Sequence, residues 1–257
     1  MQLERDSSRW ILLDSIDSTN QYAMTHKDLP SGTVVLAGEQ TAGRGRMGRS
    51  WQSVPGNSFL FSGIFEVNRS DPQFPFLHLF SQVCGLSLLR ACRSFSEERI
   101  SLKWPNDLYL ERSGSTGKLA GILLETDALS SEKLRCVLGI GLNWKGTSPE
   151  IQEDMPSISL FEASSRDVHE LVLPFIQQWN DLTGRLPADH EEILSEIRKN
   201  FYLDQKIISL SGKLYRAAGM DEEGGLILES LDDGRIRILN DTSEKMRIVP
   251  AAAEAVE

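Results

Sequence analysis

The chain has few of the features that mark secreted, metal-binding or membrane proteins. Among 257 residues there are three cysteines, Cys84, Cys92 and Cys136, and four histidines. The cysteines lie inside apolar runs, form no CxxC pair and have no histidine at ligand spacing, which excludes a zinc ribbon and a disulfide framework. Buried free thiols in a reducing compartment are the expected state. No apolar run is long enough to cross a bilayer, and the first residues show no signal-peptide pattern, so the cytoplasm is expected. Positive charge is scarce as well: 27 Lys and Arg against 37 Asp and Glu give a formal net charge of −10. Phosphate attraction supplies most nonspecific affinity for DNA and for anionic membranes, so neither is an expected partner. His26, His78, His169 and His190 are scattered and suggest no shared chemistry. Internal repeats and low-complexity segments are absent.

What is present is ordinary in bulk and unusual in one place. A hydrophobic content of 40% and a charged content of 25% fit a soluble globular chain, long enough for one large core and a small satellite. The unusual segment is Gly43-Arg44-Gly45-Arg46-Met47-Gly48-Arg49-Ser50-Trp51. Glycine loses most entropy on ordering and arginine resists full burial, so this is a loop rather than a core strand. Its guanidinium groups are permanently charged and grip phosphate or carboxylate bidentately. An anion-binding loop, mobile without ligand, is one reading. A solvated basic loop and a short RNA-binding arginine-glycine segment are the others.

Other candidate positions flank this loop. Asp17-Ser18-Thr19-Asn20 offers capping residues before the helix start Gln21-Tyr22-Ala23-Met24, and a helix N-terminus presents unpaired N–H groups to a polar ligand. Gln40 ends the strand Thr33–Ala37; its amide suits a urea-like group, although a surface position is the usual fate of glutamine. Phe59, Phe61 and Phe65 alternate onto one face and read as core. Phe76 to Cys92 has the periodicity of a buried helix. Lys103-Trp104-Pro105-Asn106-Asp107 ends a strand in a turn. A hairpin turn over 113–117 leads to Lys118 at the start of the strand Leu119–Glu125, with Gly117 and Gly121 leaving room beside it. Gly139 and Gly141, spaced by two, clear one face of the strand Arg135–Asn143, for a flat ring or for a tight backbone crossing. Helical patterns follow from Ser165, with the stripe Val168 to Trp179, and over Pro187–Phe201. Beyond Asp204, five short strands in about fifty residues suggest a small β-barrel of SH3-like type.

Taken in order, Asp17–Asn20, the glycine-arginine loop, Lys103–Asp107, Gly117–Glu125 and Gly139–Asn143 resemble the biotin protein ligases over nearly the whole chain. The expected fold is α+β. A mixed, largely antiparallel sheet with helices on one face, the class II synthetase-like catalytic domain of biotin and lipoate ligases, spans 1–203, and an SH3-like β domain spans 204–257. The resemblance implies that biotin and ATP form biotinyl-5′-AMP, with Mg²⁺ held mainly through ATP oxygens and no protein metal site. Biotin then passes to one lysine of the biotin carboxyl carrier domain of acetyl-CoA carboxylase or a related carboxylase. It assigns catalysis to Lys118 and Arg46. Biotin falls to Ser18, Thr19, Asn20, Gln40, Arg44, Gly45, Arg46 and Lys118, and ATP to Arg49, Trp51, Lys103, Asn106 and Asn143. Met47 departs from the arginine often found there, which leaves the division of roles among Arg44, Arg46 and Arg49 open. Ser18 lies too near the start for a winged helix-turn-helix of about sixty residues, so no repressor function is expected. Dimerisation is known in the family, and a sheet edge near the loop could serve it. Two other readings are a lipoate-type acyl ligase, whose members lack the glycine-arginine alternation, and an inactive biotin- or nucleotide-binding module, which retention of Lys118 beside the loop disfavours.

Overall fold

A computed structural model of the chain describes residues 2–146, 156–241, 244 and 246–249. The first half supplies strands β1 (Trp10–Leu13), β2 (Val34–Ala37), β3 (Ser58–Asn68), β4 (Arg99–Lys103), β5 (Asp107–Arg112), β6 (Ser115–Ala128) and β7 (Lys133–Asn143). They form one seven-stranded sheet in the order β1-β2-β3-β7-β6-β5-β4. β1 and β2 run parallel, and every other neighbouring pair in this sheet is antiparallel. The expected mixed, largely antiparallel sheet is therefore what the chain builds. β6 and β7 extend further than their apolar centres suggested. The β5–β6 turn is only Ser113 and Gly114, both at positive φ (51° and 77°), a two-residue hairpin connection.

The two faces of the sheet differ because successive side chains point opposite ways. Phe61 and Phe65 face the helices α2 (Phe80–Cys92) and α3 (Val172–Lys199). Phe65 sits 5.7 Å from the rings of both Phe80 and Trp179, and Phe61 meets Phe175 edge-on at 5.1 Å. Residues of opposite parity, Val35, Ile64 and Val137, pack under Ala23 of the short helix α1 (Thr19–Thr25). The two long helices thus share one face, while α1 lies on the other because that face carries its own small apolar patch. Seven residues of helix cover little of a sheet this wide. The rest of that face is open to ligands.

The expected helix from Pro187 is the second half of α3, which bends at Asp189 (φ −115°, ψ 23°). Pro187, two residues earlier, has no N–H to donate, so the helix has already lost a ladder bond on the approach to this bend. The helix resumes because Ile193, Leu194 and Ile197 are buried. Ahead of α2, residues Phe74–Leu79 form a 3-10 turn, so the α-helix begins at Phe80.

Strands β8 (Ile207–Leu210), β9 (Lys213–Met220), β10 (Leu226–Ser230), β11 (Ile236–Leu239) and β12 (Met246–Ile248) form a second, antiparallel sheet in the order β11-β10-β9-β8-β12. Its five strands match the small SH3-like unit expected. Residues 250–257, the end of the expected C-terminal domain, lie outside the described residues. This sheet is seated against the β4–β5 turn. Trp104 Nε1 and Gln82 Nε2 both donate to the Gly224 carbonyl, at 3.0 and 2.9 Å, and Arg198 Nη2 donates to the Asp221 carbonyl at 2.6 Å.

Candidate active site

Beside α1, on its face of the sheet, lies a cavity. Its walls are the N-terminus of α1, the glycine-arginine loop, the β4–β5 turn and the centres of β6 and β7, with Glu244 and Met246 reaching in from the second sheet. The floor is glycine. Gly121 pairs with Gly141 across β6 and β7. A Cβ on Gly141 would stand 2.3 Å from Trp51 Cε2, and one on Gly139 would stand 2.2 Å from Asn20 Oδ1. The flat ring for which the strand glycines make room is thus the chain's own indole. Trp51 Nε1 is buried without a hydrogen-bond partner among the described residues. An orphaned donor in a cavity wall costs about 1–3 kcal/mol unless a ligand accepts from it.

The loop folds as a small hairpin. Arg44 bridges Ser50, Gly45 N–H donates to the Arg49 carbonyl at 2.7 Å, and Trp51 N–H donates to the Gly43 carbonyl at 2.9 Å. Met47 and Gly48 make the tip at positive φ, 57° and 72°. A Cβ at Gly43 would strike the Trp51 carbonyl at 2.3 Å, so glycine is required there.

One end of the cavity is cationic. Lys118 Nζ lies 2.9 Å from Asp107 Oδ1, and Lys103 Nζ lies 3.6 Å from Asp107 Oδ2. Burial alone would push the Asp107 carboxyl up, but Lys118 and Lys103 outweigh it and hold it below its ordinary value. Burial pushes the Lys103 ammonium down, with Asp107 opposing. Arg46 donates to Asn106 Oδ1 at 3.4 Å; burial lowers its guanidinium pKa while Asp107 and Asp241 act the other way. Asn106 is fixed in turn by donating to the Ile122 carbonyl at 2.6 Å. Lys118 reaches this cluster through a β-bulge. The register between β5 and β6 shifts where Tyr109 faces Lys118 and Leu108 faces Ala120, leaving Leu119 as the extra residue. Counting back by twos from Gly121 would send Lys118 into the core. The bulge turns both Leu119 and Ala120 inward and aims the lysine at the cavity.

The other end is neutral. Ser18 is the N-cap of α1 and accepts from Gln21 N–H at 3.4 Å. Gln40 Oε1 accepts from Thr19 N–H at 2.8 Å and from the Thr19 hydroxyl at 3.0 Å. Between the two ends, Arg44 is held by Glu125 at 2.9 Å and by Gln21 Oε1.

Of the residues singled out in the sequence, Ser18, Thr19, Asn20, Gln40, Arg44, Gly45, Arg46, Arg49, Trp51, Lys103, Asn106 and Lys118 all line this one cavity. Asn143 adjoins it instead: its amide donates to the carbonyls of Lys118 and Ile158, at 3.2 and 3.4 Å, and so braces the lysine's strand. Sequence reasoning missed Asp107 as the lysines' partner, and it missed Gln21, Ser62 and Glu125 altogether. For Asp107 a signal existed, since Lys103 and Asp107 face each other across the β4–β5 hairpin. Among the described residues, no group of three or more His, Cys, Asp or Glu is placed to hold a metal ion, and no helix is long and apolar enough to cross a membrane.

Fold and cavity together define a ligand site with a neutral polar end and a cationic end. Comparison with known proteins carries this further. The model of the biotin/lipoate A/B protein ligase family matches residues 12–143, and the chain belongs to that family. It is 30% identical over 234 residues to a biotin–[acetyl-CoA-carboxylase] ligase of Paracoccus denitrificans, covering 84% of this chain and 92% of that protein. It is 28% identical over 260 residues to the bifunctional ligase/repressor BirA of Escherichia coli, covering 90% of this chain and 72% of that one. Among solved structures, the biotin protein ligase of Aquifex aeolicus in complex with biotin and ATP superposes with a TM-score of 0.75 at 28% identity, covering 94% of this chain and 99% of that one.

Proposed function

We propose that the chain is an ATP-dependent biotin ligase, which joins biotin to AMP and then transfers it to a lysine of the biotin carboxyl carrier domain of acetyl-CoA carboxylase or a related carboxylase. The observation that carries this reading is the polarity of the cavity. Gln40, Thr19 and Ser18 give its neutral end donors and acceptors suited to a urea ring, while Lys118, Lys103, Arg46 and Arg49 crowd the other end with charge suited to a carboxylate and a polyphosphate.

A carboxylate attacking the α-phosphate must overcome like-charge repulsion. Lys118, in the cationic end, is the group that offsets that repulsion and stabilises the charge developing on phosphorus. Arg46, on the hairpin, holds the single phosphate charge of the mixed anhydride until the carrier arrives. Arg49, Trp51, Lys103 and Asn106 serve the nucleotide, and Asn143 serves it indirectly by bracing Lys118. Mg²⁺ would accompany ATP and supply charge neutralisation at the polyphosphate, held mainly through the nucleotide.

The chain divides into a catalytic domain over 1–203 and an SH3-like domain over 204–257, a reading supported by the second sheet's being separate from the first and beginning at Ile207, after α3 has ended at Lys199. A charge of −10 supports partners other than DNA or membrane. The three buried free thiols support a reducing cytoplasm. β1 forms an outer edge of the large sheet with Leu12 exposed, which supports self-association there, to be read from elution mass with and without biotin and ATP.

The central test is ATP–pyrophosphate exchange. Exchange that needs biotin, followed by labelling of a carrier domain, is the expected result. Exchange supported by lipoate but not biotin would move the chain to the other branch of its family, and binding without exchange would leave only a binding module.

A further inference from the structure

The neutral end of the cavity is the terminus of a chain of hydrogen bonds that begins on the glycine-arginine hairpin. Arg44 Nη2 meets Glu125 Oε1 at 2.9 Å. The other oxygen, Glu125 Oε2, accepts from Asn20 Nδ2 at 3.0 Å, and the same amide nitrogen lies 3.3 Å from the Leu123 carbonyl. Asn20 Oδ1 lies 2.6 Å from the hydroxyl of Ser62, which also lies 2.8 Å from Thr19 Oγ1, so one proton is shared between two acceptors. The Thr19 hydroxyl then donates to Gln40 Oε1.

A carboxylate can only accept. Glu125 therefore dictates which end of the Asn20 amide is NH₂, and a flipped Asn20 would set oxygen against oxygen at both Glu125 and Leu123. With Asn20 Oδ1 fixed toward Ser62, the serine must donate. With Ser62 donating, Thr19 is free to donate onward, and Gln40 Oε1 is occupied by Thr19 from two sides. The Gln40 amide is left to present its NH₂ to the cavity, as a donor for a ligand's carbonyl oxygen. Asn20, assigned to biotin on the family resemblance, spends its oxygen and its NH₂ group inside the wall and acts as a strut.

We propose that Ser62 and Glu125 are positioning residues for biotin: the Thr19 backbone N–H fixes Gln40 Oε1 from one side, the relay Glu125–Asn20–Ser62–Thr19 keeps the Thr19 hydroxyl donating to it from the other and so locks the Gln40 amide in place, and Glu125, through Arg44, ties that lock to the seating of the hairpin. Ser62 is fully buried on β3, facing neither solvent nor nucleotide, and Glu125 lies on β6 directly across from Val137 beneath α1. The inference rests on the biotin-ligase reading above and adds which residues make its head-group end selective for an acceptor.

The test uses the full chain, ATP–pyrophosphate exchange titrated separately in biotin and ATP, and cleavage of the hairpin after Arg46 and Arg49 by trypsin. Ser62→Ala removes only a hydroxyl. It is expected to raise the KM for biotin roughly five- to tenfold, with the KM for ATP and kcat within about twofold and trypsin cleavage unchanged. Glu125→Gln cannot accept from Arg44 and Asn20 with two oxygens, so it is expected to raise the biotin KM and also to speed hairpin cleavage. In the double variant the rise in biotin KM should match that of the larger single variant, because both substitutions break one relay. A biotin KM unchanged in Ser62→Ala, an equal rise in the ATP KM, or multiplication of the two single effects would overturn the inference while leaving the ligase reading intact. Absence of biotin-dependent exchange in the unsubstituted chain would overturn both.

Discussion

At the scale of single residues the site is a balance of charges rather than a cage. Asp107 is shared by Lys118 and Lys103, and its carboxyl is held below the ordinary carboxylate value by those lysines despite burial. A carboxyl whose folded pKa is depressed stabilises the fold above its unfolded value, and that contribution disappears as pH falls through the lower folded value. The lysine–aspartate cluster therefore persists at neutral pH and fails only in strong acid. Lys118→Ala leaves Asp107 with one close cation, so burial should push its carboxyl up. The larger effect is on the reaction: biotin-dependent exchange should drop by roughly 10²–10³ while the far-ultraviolet spectrum is unchanged. Near-normal exchange in this variant would remove the lysine from the chemistry. The sequence marked Lys118 as a strand-start lysine with glycines nearby, but period-two counting aims it into the core. What rescues it is one extra residue, Leu119, whose bulge has no local sequence signature.

At the scale of elements the decisive piece is the hairpin over 43–51. Three glycines and three arginines give it no apolar anchor except Trp51, and its seat depends on the Arg44 contacts to Glu125 and Gln21. An anionic substrate adds charge partners for Arg46 and Arg49, so the loop should be better protected when ligand is bound. Limited trypsin digestion at Arg44, Arg46 and Arg49 should slow several-fold with saturating biotin and ATP; equal rates would mean the hairpin is not a lid. The secondary structure was largely readable because each strand has its alternation and each long helix its stripe. The contacts that finish the site were not. Ser62 looks like any serine inside an apolar strand, and its partners Thr19 and Asn20 lie more than forty residues away. By its pattern Arg135 is only the first residue of a strand, yet it is fully buried and donates to the carbonyls of Ala23, His26 and Leu29, capping the C-terminal end of α1. Both are long-range polar pairs, and hydrophobic periodicity carries no trace of them.

At the scale of the whole molecule the large sheet buries its thiols. Burial pushes the Cys92 and Cys136 thiols up to about 12 and raises that of Cys84 well above its ordinary value. At pH 8 a thiol of that kind is thiolate in roughly one molecule in 10⁴, so iodoacetamide should label none of the three in the native chain and all three in denaturant. Rapid native labelling of Cys136 would mean that β7 opens on its own. β7 also has a timing consequence. β3 bonds to β2 on one side and to β7 on the other, from Asn68–Lys133 to Ser58–Asn143. At roughly 5–20 residues synthesised per second, β3 emerges from the ribosome several seconds before its second neighbour exists. Through that interval a phenylalanine-rich edge stands open, and α1 lacks the arginine that caps it and the valine and glycine on which it rests. Biotin therefore has no pocket to occupy on a nascent chain until Asn143 has been released. A cell cannot use the vitamin to steady the early folding of this protein; that burden falls on whatever shields β3 while translation catches up.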